Sequence, residues 1–194
     1  MRKTTMRRKT GETDIILALN VDGSGVVDVS TGVPFFDHMM DALGRHAGFN
    51  ITIQATGDIE VDAHHTVEDI GIVLGQALAQ ILQDKAGLTR FGHSFMVMDE
   101  ALVLAAIDVS GRGQCYYAVD LPIEMIGTFD STLCHEFFVA LAREAGITLH
   151  IRSFEGTNAH HLIEAVFKAV ARALRIALAI DERVQGVPST KGAL

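Results

Sequence analysis

Two cysteines, three prolines and no tryptophan in 194 residues exclude several designs at the outset. Cys115 and Cys134 have no CxxC spacing, so neither a disulfide framework nor a cysteine-ligated zinc site is indicated, and a reducing cytoplasm fits this usage. No stretch is both long enough and free enough of charge to span a bilayer, and no apolar run follows the basic start as a signal peptide would need. A soluble, intracellular protein without a membrane partner is expected. Net positive charge is also lacking: the chain carries a formal charge of −8, which argues against a nucleic-acid partner. The basic residues that exist crowd into "MRKTTMRRKT" at the start. That segment reads either as an ordered arm or as a solvated tail, the tail being the general expectation for a terminus.

What the sequence does have is apolar content, 48% against 21% charged, enough for a folded core rather than disorder. At this length the choice is one domain, or two small halves sharing a core. "TDIILALNVDGSGVVDVSTG" (13–32) reads as two strands in a hairpin about the Asp22–Gly25 turn. "PFFDHMMDALGRHAG" (34–48) has Pro at a helix start and Gly at its stop, and "FNITIQATGD" alternates like a strand. A second helix runs from about Thr66 or a little earlier to Lys85, with apolar residues at helical spacing closed by Gly87.

The same order then returns. "EALVLAAIDVSGRGQCYYAVDLP" reads as another hairpin, and "DSTLCHEFFVALAREAG" as a helix with Asp130 as N-cap. "ITLHIRSFEG" follows as a strand, and a long helix spans about Ala159 to Ile180. Glu12 aligns with Glu100, "ALGRHAG" with "ALAREAG", and "HHTVE" with "HHLIE", at offsets that drift from 88 (Glu12 to Glu100) to 98 (Gly48 to Gly146). This is an internal duplication. An α+β fold of two tandem ββαβα repeats is expected over residues 1–194, split near 90/91, with the helices packed between two four-stranded sheets.

The chemistry lies in the duplicated HHxxE. On a helix with His64 at zero, His65 lies near 100° and Glu68 near 40°. His64 and Glu68, at i and i+4, can share one ion, which leaves His65 free for a second. His160, His161 and Glu164 repeat this geometry. His38 and His135 sit near the starts of the two shorter helices. They are out of strict register, since His135 aligns with Asp37, and a one-residue insertion is assumed. Six histidines and two glutamates divide into two sites of three imidazoles and one carboxylate, a set suited to Mn, Fe, Co or Zn with positions left for substrate. Short motifs match by chance, but duplication at equivalent helix starts argues for metal. His93 and His150 fall on strands and read as ordinary polar-face histidines.

"GET" (11–13), "FFDHMMDALGRHAGF" (35–49), "DAHHTVEDIGIVLG" (62–75), "TNAHHLIEAVFKAVARAL" (157–174) and "PSTKG" (188–192) together make the sequence resemble the imidazoleglycerol-phosphate dehydratases over essentially its whole length. The resemblance implies halves like the second domain of ribosomal protein S5. It implies a lyase that removes water from D-erythro-imidazole-glycerol phosphate to give imidazole-acetol phosphate in histidine biosynthesis, with two Mn(2+) per active site. The proton lost sits on a carbon with no neighbouring carbonyl, so the imidazole must be the electron reservoir, passing through a metal-bound imidazolate and a diazafulvene. The resemblance assigns the mobile acid/base to Glu12, which with His64, Glu68, His160 and Glu164 makes the catalytic set. It places the phosphate against Arg90, Arg112, Lys168, Ser189, Thr190 and Lys191, groups suited to a dianion. The substrate site is further lined by His38, His65, His161 and His46, the last one helix face along from His38. The resemblance also implies a homo-oligomer of 24 subunits built from trimers, with sites between subunits.

Two other classes bear on HHxxE. A dinuclear metallohydrolase would offer bridging Asp ligands, which are few beside these histidines. A metal-storage bundle with ExxH motifs would lack the strands and Gly turns seen here.

Overall fold

Thr13–Asn20 alternates fully buried Ile15, Leu17 and Leu19 with outward Asp14, Ile16 and Ala18, the signature of a strand with one face in a core. In the computed structural model, which describes residues 2–192 and Leu194, this segment is β2. It pairs antiparallel with β1 (Lys3–Lys9) on one side and β4 (Asn50–Gly57) on the other. β3 (Val27–Ser30) runs parallel to β4, and the sheet order is β1-β2-β4-β3. The second half gives β5 (Phe91–Met98), β6 (Ala101–Asp108), β7 (Gln114–Ala118) and β10 (Thr148–Glu155) in the matching order β5-β6-β10-β7. A short extra ribbon, β8 (Met125–Ile126) with β9 (Phe129–Asp130), lies between β7 and the next helix.

Four helices, α1 (Pro34–Ala47), α2 (His64–Leu82), α3 (Leu133–Ala145) and α4 (Ala159–Ala177), complete the described residues. α1 packs on α4 and α2 on α3, while α2 covers β1 and β2 and α4 covers β5 and β6. The helices therefore form the layer between two four-stranded sheets, as expected. A Cβ at Gly71 would come within 2.7 Å of the Phe137 carbonyl and one at Gly75 within 2.8 Å of the Leu141 carbonyl, so these glycines permit the close approach of α2 and α3. The centre is aromatic: Phe137 stacks on Phe167 at 5.3 Å and meets Phe36 edge-on at 5.4 Å, all three rings fully buried. Removing each such side chain from water is worth roughly 1.5–3 kcal/mol.

The first correction concerns the hairpins. β2 and β3 do not pair, nor do β6 and β7, because β4 and β10 lie between them. The Asn50 side chain explains the first case. Its Oδ1 accepts from the backbone N–H of Ser24 and of Val26, so the Gly-rich loop is carried across the end of β4 instead of folding back on β2. β3 and β4, being parallel, require a crossover, which α1 supplies. The true hairpins are β1-β2 and β5-β6, giving each half one more leading strand than ββαβα.

The second correction follows from the first: "MRKTTMRRKT" is not a tail, since residues 3–9 form edge strand β1. Four of its basic residues have acidic partners, Lys9 lying 3.4 Å from Asp14. Arg2 forks onto Asp22, Arg7 onto Asp14, and Arg8 donates to Asp69 at 2.9 Å on the inner side. Asp130 is not the N-cap of α3; it accepts from the backbone N–H and hydroxyl of Thr132, and the helix starts at Leu133. The long helices keep their expected starts but end at Leu82 and Ala177, three residues short of Lys85 and Ile180.

Candidate functional site

α4 begins where the Asn158 carboxamide accepts from the His161 backbone N–H, a side-chain cap that fixes the first turn. His160, the second residue of α4, has Nε2 3.2 Å from Glu164 Oε2, and His38 Nε2, from the second turn of α1, reaches the same oxygen at 3.5 Å. Donor atoms of all three residues lie within 4.8 Å of one another. Phe35 packs edge-on against the His160 ring at 5.0 Å. Glu164 is buried, and Lys168, one turn further along α4, sits 2.5 Å from its other oxygen. Burial pushes the Glu164 carboxyl upward, but Lys168 and the histidines outweigh it and the net direction is downward. The result is an anionic oxygen between two imidazole nitrogens, a donor set that fits a borderline divalent metal.

α2 begins with Asp62 accepting from the His64 backbone N–H. His64 Nε2 lies 3.8 Å from Glu68 Oε2. The His64 and His65 rings stand 82° apart with centroids 6.2 Å apart, and His160 and His161 stand 78° apart at 6.1 Å. Adjacent histidines thus diverge, as helical geometry requires. His65 presents Nδ1 to Asp58 at 3.0 Å and Nε2 to Glu12 at 3.8 Å; the Asp58 hydrogen bond, then Glu12, raise its pKa against partial desolvation. Beside His64 a cleft of about 520 Å³ opens between the 59–63 segment and the β8-β9 turn.

His135 departs from expectation. The assumed insertion is absent: α1 and α3 are uninterrupted helices that stop at equivalent left-handed glycines, Gly48 and Gly146. The residue that matches His38 is therefore Glu136, and His135 lies one position back, about 100° around the axis. Its ring sits edge-on to Tyr117 at 5.1 Å with Nδ1 3.2 Å from Glu136. Of the eight expected ligands, one chain brings His38, His160 and Glu164 into a single cluster. His64 and Glu68 form a looser pair, and His65, His161 and His135 each face other carboxylates.

The cationic residues fall in two groups. Arg90 donates to Asp108 at 2.7 Å and to the Pro188 carbonyl at 2.7 Å, and Arg112 approaches the same aspartate at 3.6 Å. The chain around Ser189, Thr190 and Lys191 turns on itself, with Ser189 Oγ accepting from the Lys191 backbone N–H. The Arg90 contact at Pro188 ties this segment to the second sheet. Lys168 belongs instead with Glu164. His46 lies near it: partial burial, then the positive charges of Lys168 and Arg172, lower its pKa.

Two carboxylates at the site were not read from the sequence. Asp58 holds His65, and Glu100 accepts from or faces His161 Nδ1 at 2.7 Å. The alignment of Glu12 with Glu100 was a signal for the second. The thiols take no part: burial pushes Cys115 and Cys134 up to about 12, which leaves them inert.

Comparison with known proteins places likenesses along most of the chain. The sequence profile of the family described as imidazoleglycerol-phosphate dehydratase matches residues 31–174. An imidazoleglycerol-phosphate dehydratase from Acetivibrio thermocellus is 53% identical over 193 residues, covering 100% of this chain and 99% of that one. The crystal structure of the Staphylococcus aureus imidazoleglycerol-phosphate dehydratase is similar with a TM-score of 0.84 at 38% identity, over 92% of this chain and 99% of that one. That of the Pyrococcus furiosus protein gives 0.82 at 41% identity, over 97% and 100%.

Proposed function

The chain belongs to the imidazoleglycerol-phosphate dehydratase family, and we propose that its two HHxxE helix starts hold two manganese ions about the imidazole ring of the substrate. The enzyme is a hydro-lyase of histidine biosynthesis that dehydrates imidazole-glycerol phosphate. The observation that carries the metal reading is the His38, His160 and Glu164 cluster, whose three donor atoms lie within 4.8 Å of one another. His64 with Glu68 offers the corresponding pair in the first half, and His65, His135 and His161 complete the proposed ligands. When bound, two divalent ions supply Lewis acidity to the ring and fix its position.

The remaining work falls to side chains of the chain itself. Glu12 is exposed, at the β1-β2 turn, and takes and returns the proton at carbon. Its neighbour His65 is fixed from behind by Asp58. Arg90 and Arg112, now shared with Asp108, turn their guanidinium groups to the phosphate together with Ser189, Thr190 and Lys191. His46 and Lys168 line the side nearest Glu164. The whole chain acts as one unit made of two halves, in the cytoplasm, where Cys115 and Cys134 stay reduced. Among the described residues no helix is long and apolar enough to cross a membrane.

The proposed assembly is a homo-oligomer of trimers, 24 subunits in all, in which neighbouring copies complete the ligand sets. The outer face of the second sheet supports association, since Phe91, Phe95, Val97, Tyr116 and Phe154 all stand exposed there. Exposed apolar side chains gathered on one face mark a contact surface. Solution mass before and after chelation checks this: the particle is expected to fall to a smaller species without metal, and an unchanged mass contradicts ligands shared across subunits. For the reaction, purified protein with manganese and imidazole-glycerol phosphate is expected to yield imidazole-acetol phosphate. No ketone product, with His64→Ala binding as much manganese as wild type, refutes both the activity and the site.

A further inference from the structure

The two halves treat one position of the repeat differently. Glu12 and Glu100 occupy equivalent hairpin turns, β1-β2 and β5-β6. Glu12 approaches His65 only at Nε2, at 3.8 Å, and more than half its side chain is exposed. Glu100 is fixed from three directions: Oε1 accepts from the backbone N–H of Thr157 at 3.1 Å and of Asn158 at 2.9 Å, while Oε2 meets His161 Nδ1 at 2.7 Å. Nδ1 of His65 has a different partner, Asp58, at 3.0 Å.

The strand register explains the exchange. Thr13 pairs with Gly57 in the first sheet; in the second, a bulge between Ser153 and Glu155 adds one residue to β10. That bulge makes Gly156, not Glu155, the counterpart of Gly57. The surroundings agree, because a Cβ on Gly57 would meet Thr66 and Thr13, and one on Gly156 would meet Leu162 and Ala101, the same places in the repeat. The residue after each glycine is then Asp58 in one half and Thr157 in the other. Threonine has no carboxylate to offer a histidine, and Glu100 supplies it, anchored on the Thr157 N–H itself.

We infer that Asp58 and Glu100 are positioning residues, each accepting Nδ1–H from the second histidine of its pair so that Nε2 is presented to metal, and that Glu100 has thereby lost the mobility Glu12 keeps. This rests on the two-metal reading above. A carboxylate behind a ligating imidazole selects the tautomer and raises ligand basicity, and its loss typically costs about 10–100-fold in metal affinity. Among the described residues the carboxylate paired with His161 Nε2 is that of Asp99, which is exposed, at 3.6 Å. The duplicated fold therefore carries two metal-presenting histidines of this kind and one mobile acid/base.

Glu100→Gln tests the assignment, because its amide oxygen still accepts from Thr157 and Asn158 while its NH₂ faces His161 Nδ1 and forces the other tautomer. Manganese binding, read as free ion by electron paramagnetic resonance, is expected to weaken about 10–100-fold at one of two sites, with the thermal midpoint unchanged. Asp58→Asn is expected to do the same through His65. The ¹⁵N spectrum of metal-free, histidine-labelled protein should show His161 protonated at Nδ1 in wild type and at Nε2 in Glu100→Gln. Wild-type manganese affinity at both sites in Glu100→Gln, or an unchanged His161 tautomer, overturns the inference. If wild type itself takes up no manganese, the two-metal reading fails, and the tautomer alone then decides this one.

Discussion

The two HHxxE helix starts share residue types and spacing, yet their surroundings differ. The Glu164 side chain is 10% exposed and gathers His160, His38 and Lys168, whereas that of Glu68 is 36% exposed and has His64 alone at 3.8 Å. The difference arises outside the motif. α1 brings His38 to α4, but α3 presents Glu136 at the matching place and turns His135 toward Tyr117. Lys168 has no counterpart on α2, where the same i+4 step from Glu68 reaches Ile72. A duplication thus copies a ligand pattern, while its neighbours decide how tightly one chain gathers it.

Glu12 and Glu100 give the strongest way to break this comparison. Glu12→Gln is expected to lower kcat by about 10²–10⁴-fold, the usual contribution of a general acid/base, with manganese affinity intact. Steady-state kinetics beside a binding titration checks it, and a selective loss of metal affinity would make Glu12 a positioning residue like Glu100. Next come the outer sheet faces, where Phe95 and Phe154 are 59% and 50% exposed with tilted rings 5.8 Å apart, and the first sheet shows Ile16 among Lys, Arg, Asp and Thr. Phe95→Asp with Phe154→Asp should cut the solution mass several-fold in light scattering. Ile16→Asp should leave it unchanged.

How much of this the sequence disclosed depended on whether the cause was local. HHxxE, the helix caps at Gly48 and Gly146 and the buried alternation of β2 are local patterns, and each was legible. β1 was not, because its inward positions Thr4, Met6 and Arg8 are only half-buried and Arg8 is neutralised by Asp69 on α2, far along the chain. The false hairpins have the same origin: whether β3 returns to β2 or passes β4 rests on Asn50, far along the chain from the turn itself. The insertion supposed between His38 and His135 is not there, since both helices run unbroken to the aligned glycines. Asp58 was missed because a bulge hides its counterpart.

Smaller effects sharpen the contrast between the two glutamates. Glu164→Gln leaves Lys168 largely buried without its anionic partner and is expected to cost about 1–3 kcal/mol in denaturant unfolding of metal-free protein. Glu68→Gln, at a more exposed pair, should cost under about 1 kcal/mol. Equal losses would mean that the two helix starts are equivalent after all. The smallest effect belongs to the charged first sheet. A hydrogen bond from Arg7, with Lys9 nearby, holds Asp14 at about 2, below its ordinary 3.8. Its folded value lies under the unfolded one, so the stabilisation is present above pH 3.8 and lost as the pH falls through about 2. Acid titration of stability should show this small component in wild type and not in Asp14→Asn, and 1 M salt should weaken it.

Manganese counted per chain in wild type, His64→Ala and His160→Ala tests the central claim most directly, by equilibrium dialysis with metal analysis. Two ions per chain in wild type and fewer than two in each variant is the expected result. Two ions in all three proteins would contradict a dinuclear site built from the duplicated HHxxE.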